Sequence, residues 1–389
     1  MAFAAYRTVL GIRQARFILA LGLLIRIPMW AAAIVLTLHV VASLDRSYSE
    51  AGLIVMGSTV ALAISAPWRG RLLDRRGLRA TVAPQLVILA LVWSVAPFVG
   101  YWLLLPLAVV GGLFIVPTFS IVRQVLISAV EDRHRTAALS LDSLATELSF
   151  MVGPVLGVLG ATYVDTAWAL CIFEMAAVAG GALVWLVNPV LINPAEETGE
   201  QLGWHAWMSP MVFAVLGAAV ASTVVLYGTD IGVVAALREM GHQSSIGWVL
   251  AVWGLGSAVG AIVYGSLQKA VPVFVLLALL AASTVPVVLA EDRFTLAALL
   301  FVCGMFCAPT ITATIDSLSR VVPPQVRGEV MGWHGSALTL GGAIGAPAAG
   351  FAIDQGGWEA AFLVTALAAL AVAMVGMFLQ AGRARKVAA

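Results

Sequence analysis

The sequence predicts an all-helical membrane protein, with twelve transmembrane helices arranged as two six-helix bundles. Three observations predict it. Of the 389 residues, 61% are hydrophobic and 11% charged, with a mean hydropathy of +1.01. Apolar stretches, each near the roughly 20 residues that cross a bilayer, follow one another with short polar breaks. The second half repeats landmarks of the first. A soluble domain carries about a quarter of its residues as charges, so lipid is the solvent for most of this chain.

The spans follow in order. The first, 17–42, comes after a basic N-terminus with Arg7, Arg13 and Arg16, and no small-residue cleavage site succeeds it. It is therefore read as a retained helix and not a signal peptide. Breaks at charges, glycines and prolines give 49–68, 80–97, 102–128, 136–164 and 167–187. Asn188 to Trp207 is the long polar stretch, with Pro189, Pro194, Glu196, Glu197, Glu200 and His205. It is expected to link an N-terminal bundle, 1–187, to a C-terminal one, 208–389. Six further spans are expected at 208–237, 244–266, 270–290, 294–319, 326–353 and 358–380.

The halves repeat. A shift of 192 brings Phe114, Pro117, Thr118 and Arg135 onto Phe306, Pro309, Thr310 and Arg327. Gly153-Pro154 has a counterpart in Gly345-Ala346-Pro347, and Gly52 and Gly70 match Gly247 and Gly265 at a shift of 195. Orientation follows from the positive-inside rule. With a cytoplasmic N-terminus, sixteen lysines and arginines fall on cytoplasmic segments, against three outside (Arg46, Arg238 and Arg293). Both termini are expected inside.

Composition also excludes. A net charge of +1 without a basic tail points to no nucleic acid. Cys303 and Cys307 stand one helical turn apart, but no histidine or carboxylate at suitable spacing completes a ligand set. They and Cys171 are read as buried small hydrophobes, and no metal is expected. No Walker loop, dinucleotide-binding glycine pattern, zinc spacing or nucleophile elbow is present. No cofactor is expected, and neither enzyme chemistry nor ATP-driven transport has residues to carry it.

From Arg69 to Arg79, eleven residues carry five arginines, Asp74, Gly70 and Gly77. The order Gly-x-Leu-x-Asp-Arg-x-Gly-x-Arg resembles the signature of the major facilitator superfamily between its second and third transmembrane helices. The resemblance implies the twelve-helix fold around a midplane cavity, a monomer in the plasma membrane, and transport of a small molecule by alternating access. It also implies a gating latch made by Asp74 with Arg75 and Arg79, with Gly70 and Gly77 allowing the close approach and the turn. Asp74 could face the N-terminus of a neighbouring helix, whose partial positive charge favours an anion. A plain positive-inside anchor is the other reading. The equivalent loop of the second half, Gly265-Ser-Leu-Gln-Lys269, lacks the aspartate.

Gly153-Pro154-Val-Leu-Gly157 resembles the core of the antiporter motif of this superfamily. Val158 and Leu144 stand where the fuller version has glycines, so a packing kink is the alternative. The fourth span also lacks the arginine that many proton-coupled members carry shortly before Gly111 or Gly112. Proton coupling is then expected from charges inside the spans, where an ionisable group is costly and hence a functional candidate. Arg26 and Glu147 lie at similar depth in spans one and five and are expected to meet, either as a proton carrier or as a static pair. His334 is a second proton-carrier candidate.

Arg123 and Asp142 are expected to form a structural pair near the cytoplasmic end, and Asp316 with Arg320 a helix-end pair. Asp230, beside Tyr227, is a candidate for the outer vestibule or for a cationic substrate. Glu174 has no evident partner. Trp30, Phe114, Phe119, Tyr227, Trp253 and Trp333 are candidate cavity residues, with core packing as the alternative reading. The expected function is proton-coupled efflux of a small organic molecule. Proton-coupled import of a nutrient and a non-transporting membrane receptor or partner stay open.

Overall fold

The computed structural model describes residues 4–46, 48–191, 207–242, 245–267 and 270–388. The acidic part of the linker, with Pro194, Glu196, Glu197, Glu200 and His205, and also Lys269, lie outside the described residues. The helices are α1 (Ala4–Gly11), α2 (Arg13–Leu38), α3 (Tyr48–Val95), α4 (Tyr101–Phe114), α5 (Thr118–Ala129) and α6 (Arg135–Tyr163). They continue as α7 (Thr166–Val187), α8 (Pro210–Glu239), α9 (Ile246–Ser266), α10 (Val273–Thr284), α11 (Arg293–Val321) and α12 (Arg327–Ala388). There is no strand among the described residues.

Among the described residues, nine helical stretches are long and apolar enough to cross a membrane. Two of them, in α3 and α12, each contain two spans, which meet at Gly77 and at Gly356-Gly357. The shorter apolar stretch Val273–Leu289 completes twelve among the described residues. Ile64, Leu91, Trp102, Leu289, Phe351 and Phe378 are each at least 65% exposed. Apolar side chains turned outward at this density are explained by a lipid environment. One apolar core runs through the first half, from Tyr6 to Val184, and two more fill the second, where Ile127 and Leu139 also join.

Two local expectations change. The arginine-rich segment is not a loop: α3 stays helical through it and breaks at Gly77 alone, where φ is +75°. Glycine adopts that left-handed conformation without the clash a Cβ would bring. The matched prolines also differ. Pro117 ends a gap between α4 and α5, with Ile115 at ψ 137°, whereas Pro309 sits inside an unbroken α11. The gap frees backbone acceptors, and the guanidinium of Arg69 donates to the carbonyl of Ile115. Arg69 is 1% exposed, so it is a buried structural cation and not part of a cytoplasmic loop.

The glycines of the antiporter-like motif serve packing. A Cβ on Gly153 would come within 2.5 Å of Trp30 Cβ, and one on Gly157 within 2.7 Å of the Ala31 carbonyl. Pro154 lies within a continuous α6. In the second half, Gly345 of α12 packs equally close to Val224 of α8, at 2.8 Å from its Cα. The α2–α6 and α8–α12 crossings therefore correspond, as the internal repeat predicts.

Candidate functional site

The two halves are joined along a seam between α3 and α12. The first N–H groups of a helix have no partner within it, and Asp74 supplies one to the start of α12. Its Oδ1 accepts from the Gly328 N–H at 2.8 Å and its Oδ2 from the Glu329 N–H at 2.7 Å. A Cβ on Gly70 would collide with the Gly328 carbonyl, and one on Gly332 with that of Ala66. One turn further, Ser336 donates to the Ala63 carbonyl at 2.6 Å. The backbones thus touch over three turns, and only glycine permits that approach.

The arginines of the motif are distributed differently from the expectation. Arg71 makes the ion pair across the seam, 3.3 Å from Glu329. Arg79 instead reaches the C-terminal end of α7, with Nη2 donating to the Leu186 carbonyl at 3.2 Å, where a cation meets the negative end of that helix. Arg75 is exposed. Around α3, at roughly 100° per residue, Arg71 lies about 60° from Asp74 and Arg75 about 100°, and Arg79 lies beyond the break at Gly77.

A second seam joins α6 and α9. The hydroxyl of Tyr6 lies 2.7 Å from the carbonyl of Ile262 and 3.0 Å from that of Ala261, and a Cβ on Gly265 would meet Ser140 at 2.6 Å. Gly265 is the repeat counterpart of Gly70. A tyrosine from α1 thus stands at the seam whose loop lacks an aspartate. Burial pushes the Tyr6 hydroxyl up to about 12, against which the hydrogen bond with Ser140 works.

Arg26 and Glu147 do not meet. Arg26 Nη1 donates to Asp142 Oδ1 at 2.6 Å and to Thr146 Oγ1 at 3.0 Å, and Arg123 Nε donates to Asp142 Oδ2 at 3.2 Å. Arg26 and Asp142 are at most 1% exposed. Phe119 lies beneath both guanidinium groups, 4.3 Å from Arg26 and 5.5 Å from Arg123, as a cation–π platform. Two cations on one carboxylate leave Arg26 Nε and Nη2 without an acceptor among the described residues. The reason for the separation is helical phase. Asp142 and Glu147 are five residues apart, about 140° around α6 at roughly 100° per residue.

Glu147 faces the other half. Its Oε1 accepts from Ser257 of α9 at 3.1 Å. Asp230 of α8 and Cys307 of α11 lie within electrostatic range of it. Two carboxylates, one from each half, thus share this interface, and neither has a basic partner among the described residues. His334 Nε2 is 2.8 Å from Thr314 Oγ1, while its buried Nδ1 has no hydrogen-bond partner among the described residues. It feels the charge of Arg123 across the halves. Ser143 and Thr312 form a further cross-link at 2.7 Å.

The aromatic candidates divide among several environments. Trp30 packs edge-on against Phe150 at 5.1 Å, and Phe114 against Trp68 at 6.5 Å. Tyr227 lies against Gly342 and is 43% exposed, and Trp253 lies against Gly304. Trp333 packs 6.4 Å from Trp207, at the approach to α8. They do not converge on one pocket. Asp316 and Arg320 pair at 3.0 Å as a helix-end bridge. Ser257, Ser336, Arg71 and Tyr6 were not singled out by the sequence. A hydroxyl carries no signal of its own there, and each partner lies more than a hundred residues away.

The sequence profile of the Major Facilitator Superfamily matches residues 18–235 and 212–388. No curated protein matches the chain in sequence. Among solved structures, the human organic anion transporter MFSD10 superposes with a TM-score of 0.70 at 17% identity, covering 94% of this chain and 99% of that one. The E. coli fucose:proton symporter gives 0.71 at 16%, covering 94% and 99%. A bacterial homologue of the iron transporter ferroportin, in its outward-facing state, gives 0.75 at 12%, covering 95% and 100%. At these identities the likeness is one of fold.

Proposed function

The chain belongs to the major facilitator superfamily of membrane transporters, and from that premise we propose that it exports a small organic molecule in exchange for protons. It is a multi-pass membrane protein and not an enzyme. In this reading the bundles 1–187 and 208–389 rock about the midplane, with 188–207 as a cytoplasmic linker. Both termini are cytoplasmic in the plasma membrane, and the protein works as a monomer.

The observation that carries the proposal is Glu147 at the interface, bonded to Ser257, within electrostatic range of Asp230 and without a basic partner among the described residues. A carboxylate at hydrocarbon depth is costly to keep charged. Opening the interface to either side changes its hydration, which is the change a proton carrier needs. Asp74 on the N-terminus of α12 supports a latch that closes the arginine-rich face. Arg26, tied to Asp142 and Thr146, serves as a positioning residue for α6, and His334 is the second proton carrier. The Arg26–Asp142–Arg123 cluster holds α2, α5 and α6 together. Tyr227 and Trp253 flank the same interface.

Proton-coupled import is the second reading. Glu147 would serve it equally, and the fold is shared with the fucose:proton symporter and with the proton:xylose symporter XylE.

The test is proton flux in energised inside-out vesicles, challenged with a panel of drugs and metabolites. The unmodified chain and Glu147→Gln are run side by side. Export predicts a substrate-triggered loss of the pH gradient in the unmodified chain alone, with Glu147→Gln folded but inactive. Full coupled activity in Glu147→Gln would remove Glu147 from the mechanism. Uphill uptake driven by an inward proton gradient would establish import instead.

A further inference from the structure

A cavity of about 200 Å³ lies inside the N-terminal half and takes no part in the mechanism above. Its wall comes from α2, both limbs of α3, α4, the gap at 115–117, the start of α5, and α7. Every lining residue lies between Ile25 and Val178, so no part of the C-terminal half contributes. Small residues at the helix contacts and the backbone gap before Thr118 leave this volume unfilled.

The wall is apolar except for the hydroxyls of Ser58, Thr59 and Thr118 and the carboxyl of Glu174. Glu174 is the one ionisable group among the lining residues, from any of the helices packed around the cavity. It has no hydrogen bond or ion pair among the described residues. A carboxyl group so placed is either protonated or matched by a cation from outside the protein. Met29 and Trp93 line the same space, and an indole is the aromatic ring that cations favour most. A single carboxylate in an apolar wall offers too few oxygens for a hard divalent ion, which takes six or more. It suits an organic cation with an apolar body.

We infer that this cavity is a binding site for a small lipophilic amine, with the ammonium on Glu174 and the body against Met29 and Trp93. The amine enters as its ammonium and the proton of Glu174 leaves to water, so the site stays neutral overall. Because the wall belongs to one half, rocking of the halves leaves it intact. The site is therefore accessory to the transport interface at Glu147 and separate from it.

The test uses the full chain in lipid nanodiscs, titrated with 4-fluorobenzylamine and its neutral match 4-fluorobenzyl alcohol and followed by fluorine NMR. Saturable amine binding at least tenfold tighter than that of the alcohol is expected. Glu174→Gln should weaken amine binding at least tenfold, Ala177→Trp should abolish it by filling the cavity, and Glu147→Gln should leave it within twofold. Equal amine affinity in Glu174→Gln, or no saturable binding in the unmodified chain, overturns the site. Loss of binding in Glu147→Gln also overturns it, by locating the amine at the transport interface. A measurement without variants uses a hydrophobic carbodiimide. The amine should protect the Glu174 peptide from modification, as read by mass spectrometry, and modification unaffected by the amine counts against the site.

Discussion

Asp74 and Gly328, 254 residues apart, are joined by a carboxylate-to-amide hydrogen bond of 2.8 Å that ties one half of the molecule to the other. The donor is the backbone at the start of a helix, so the contact depends on the direction of α12 and not on the identity of a partner side chain. At this point of the seam the positive end of a helix meets one acidic side chain, beside the Arg71–Glu329 ion pair.

Asp74→Asn keeps the shape and removes the charge. A hydrogen bond to a charged group contributes about 1.5–3 kcal/mol, enough to shift a balanced equilibrium at least tenfold. Spin-label distances across the arginine-rich face should lengthen, and transport should fall at least tenfold. Unaltered distances in this variant would show that the latch lies elsewhere.

Gly70→Ala leaves every charge in place but adds a methyl where the Gly328 carbonyl already stands. The α3 and α12 backbones must separate, so the same face should open as in Asp74→Asn. Gly11→Ala, where nothing lies within 4 Å, serves as the control and should change neither distance nor transport. Equal behaviour of the two variants would contradict the close-packed seam.

Asp142→Asn strands two guanidinium groups inside the protein, those of Arg26 and Arg123. Breaking a buried charge cluster from one side costs about 3–5 kcal/mol. The prediction is a fall of several degrees in the apparent melting temperature in detergent, while Thr146→Val costs about 1 kcal/mol. A melting temperature that Asp142→Asn does not lower would deny the cluster its structural role.

Asp292 caps α11, accepting from the N–H groups of Phe294 and Thr295 at 2.6 and 2.9 Å. These bonds, that from Thr295 first, hold its carboxyl below the usual carboxylate range. A depressed value means that the cap stabilises fully above the ordinary value of about 4 and is lost as pH falls through the lowered one. Hydrogen exchange at the start of α11, taken relative to the intrinsic rate at each pH, should therefore rise in acid, and Asp292→Ala should show the same fraying at neutral pH. Acid-insensitive exchange there would mean that the carboxylate contributes nothing.

The fold was legible because hydropathy and the internal repeat both act over tens of residues. The acceptor role of Asp74 was legible too, since an acidic residue amid arginines and glycines suits a helix terminus. The partners of the buried charges were read less well. Equal depth suggested Arg26 with Glu147, but depth fixes only the axial coordinate, and the phase around α6 turned Glu147 toward Ser257. The break at Gly77 separates Arg79 from the seam, whereas 71 and 75, one turn apart, are not told apart by phase. Tyr6 gave no signal, because its acceptors are backbone carbonyls 255 and 256 residues away.

The one-residue break at Gly77 leaves no slack between the second and third spans. A lever with so short a joint cannot let Asp74 swing free while the 78–95 limb stays still. If Asp74 is the latch proposed above, its release would displace that limb as well, and with it α7, on whose end Arg79 rests. Gly77 would then set the size of the moving part, an entire block of helices whose stroke is shared by residues far from any cargo.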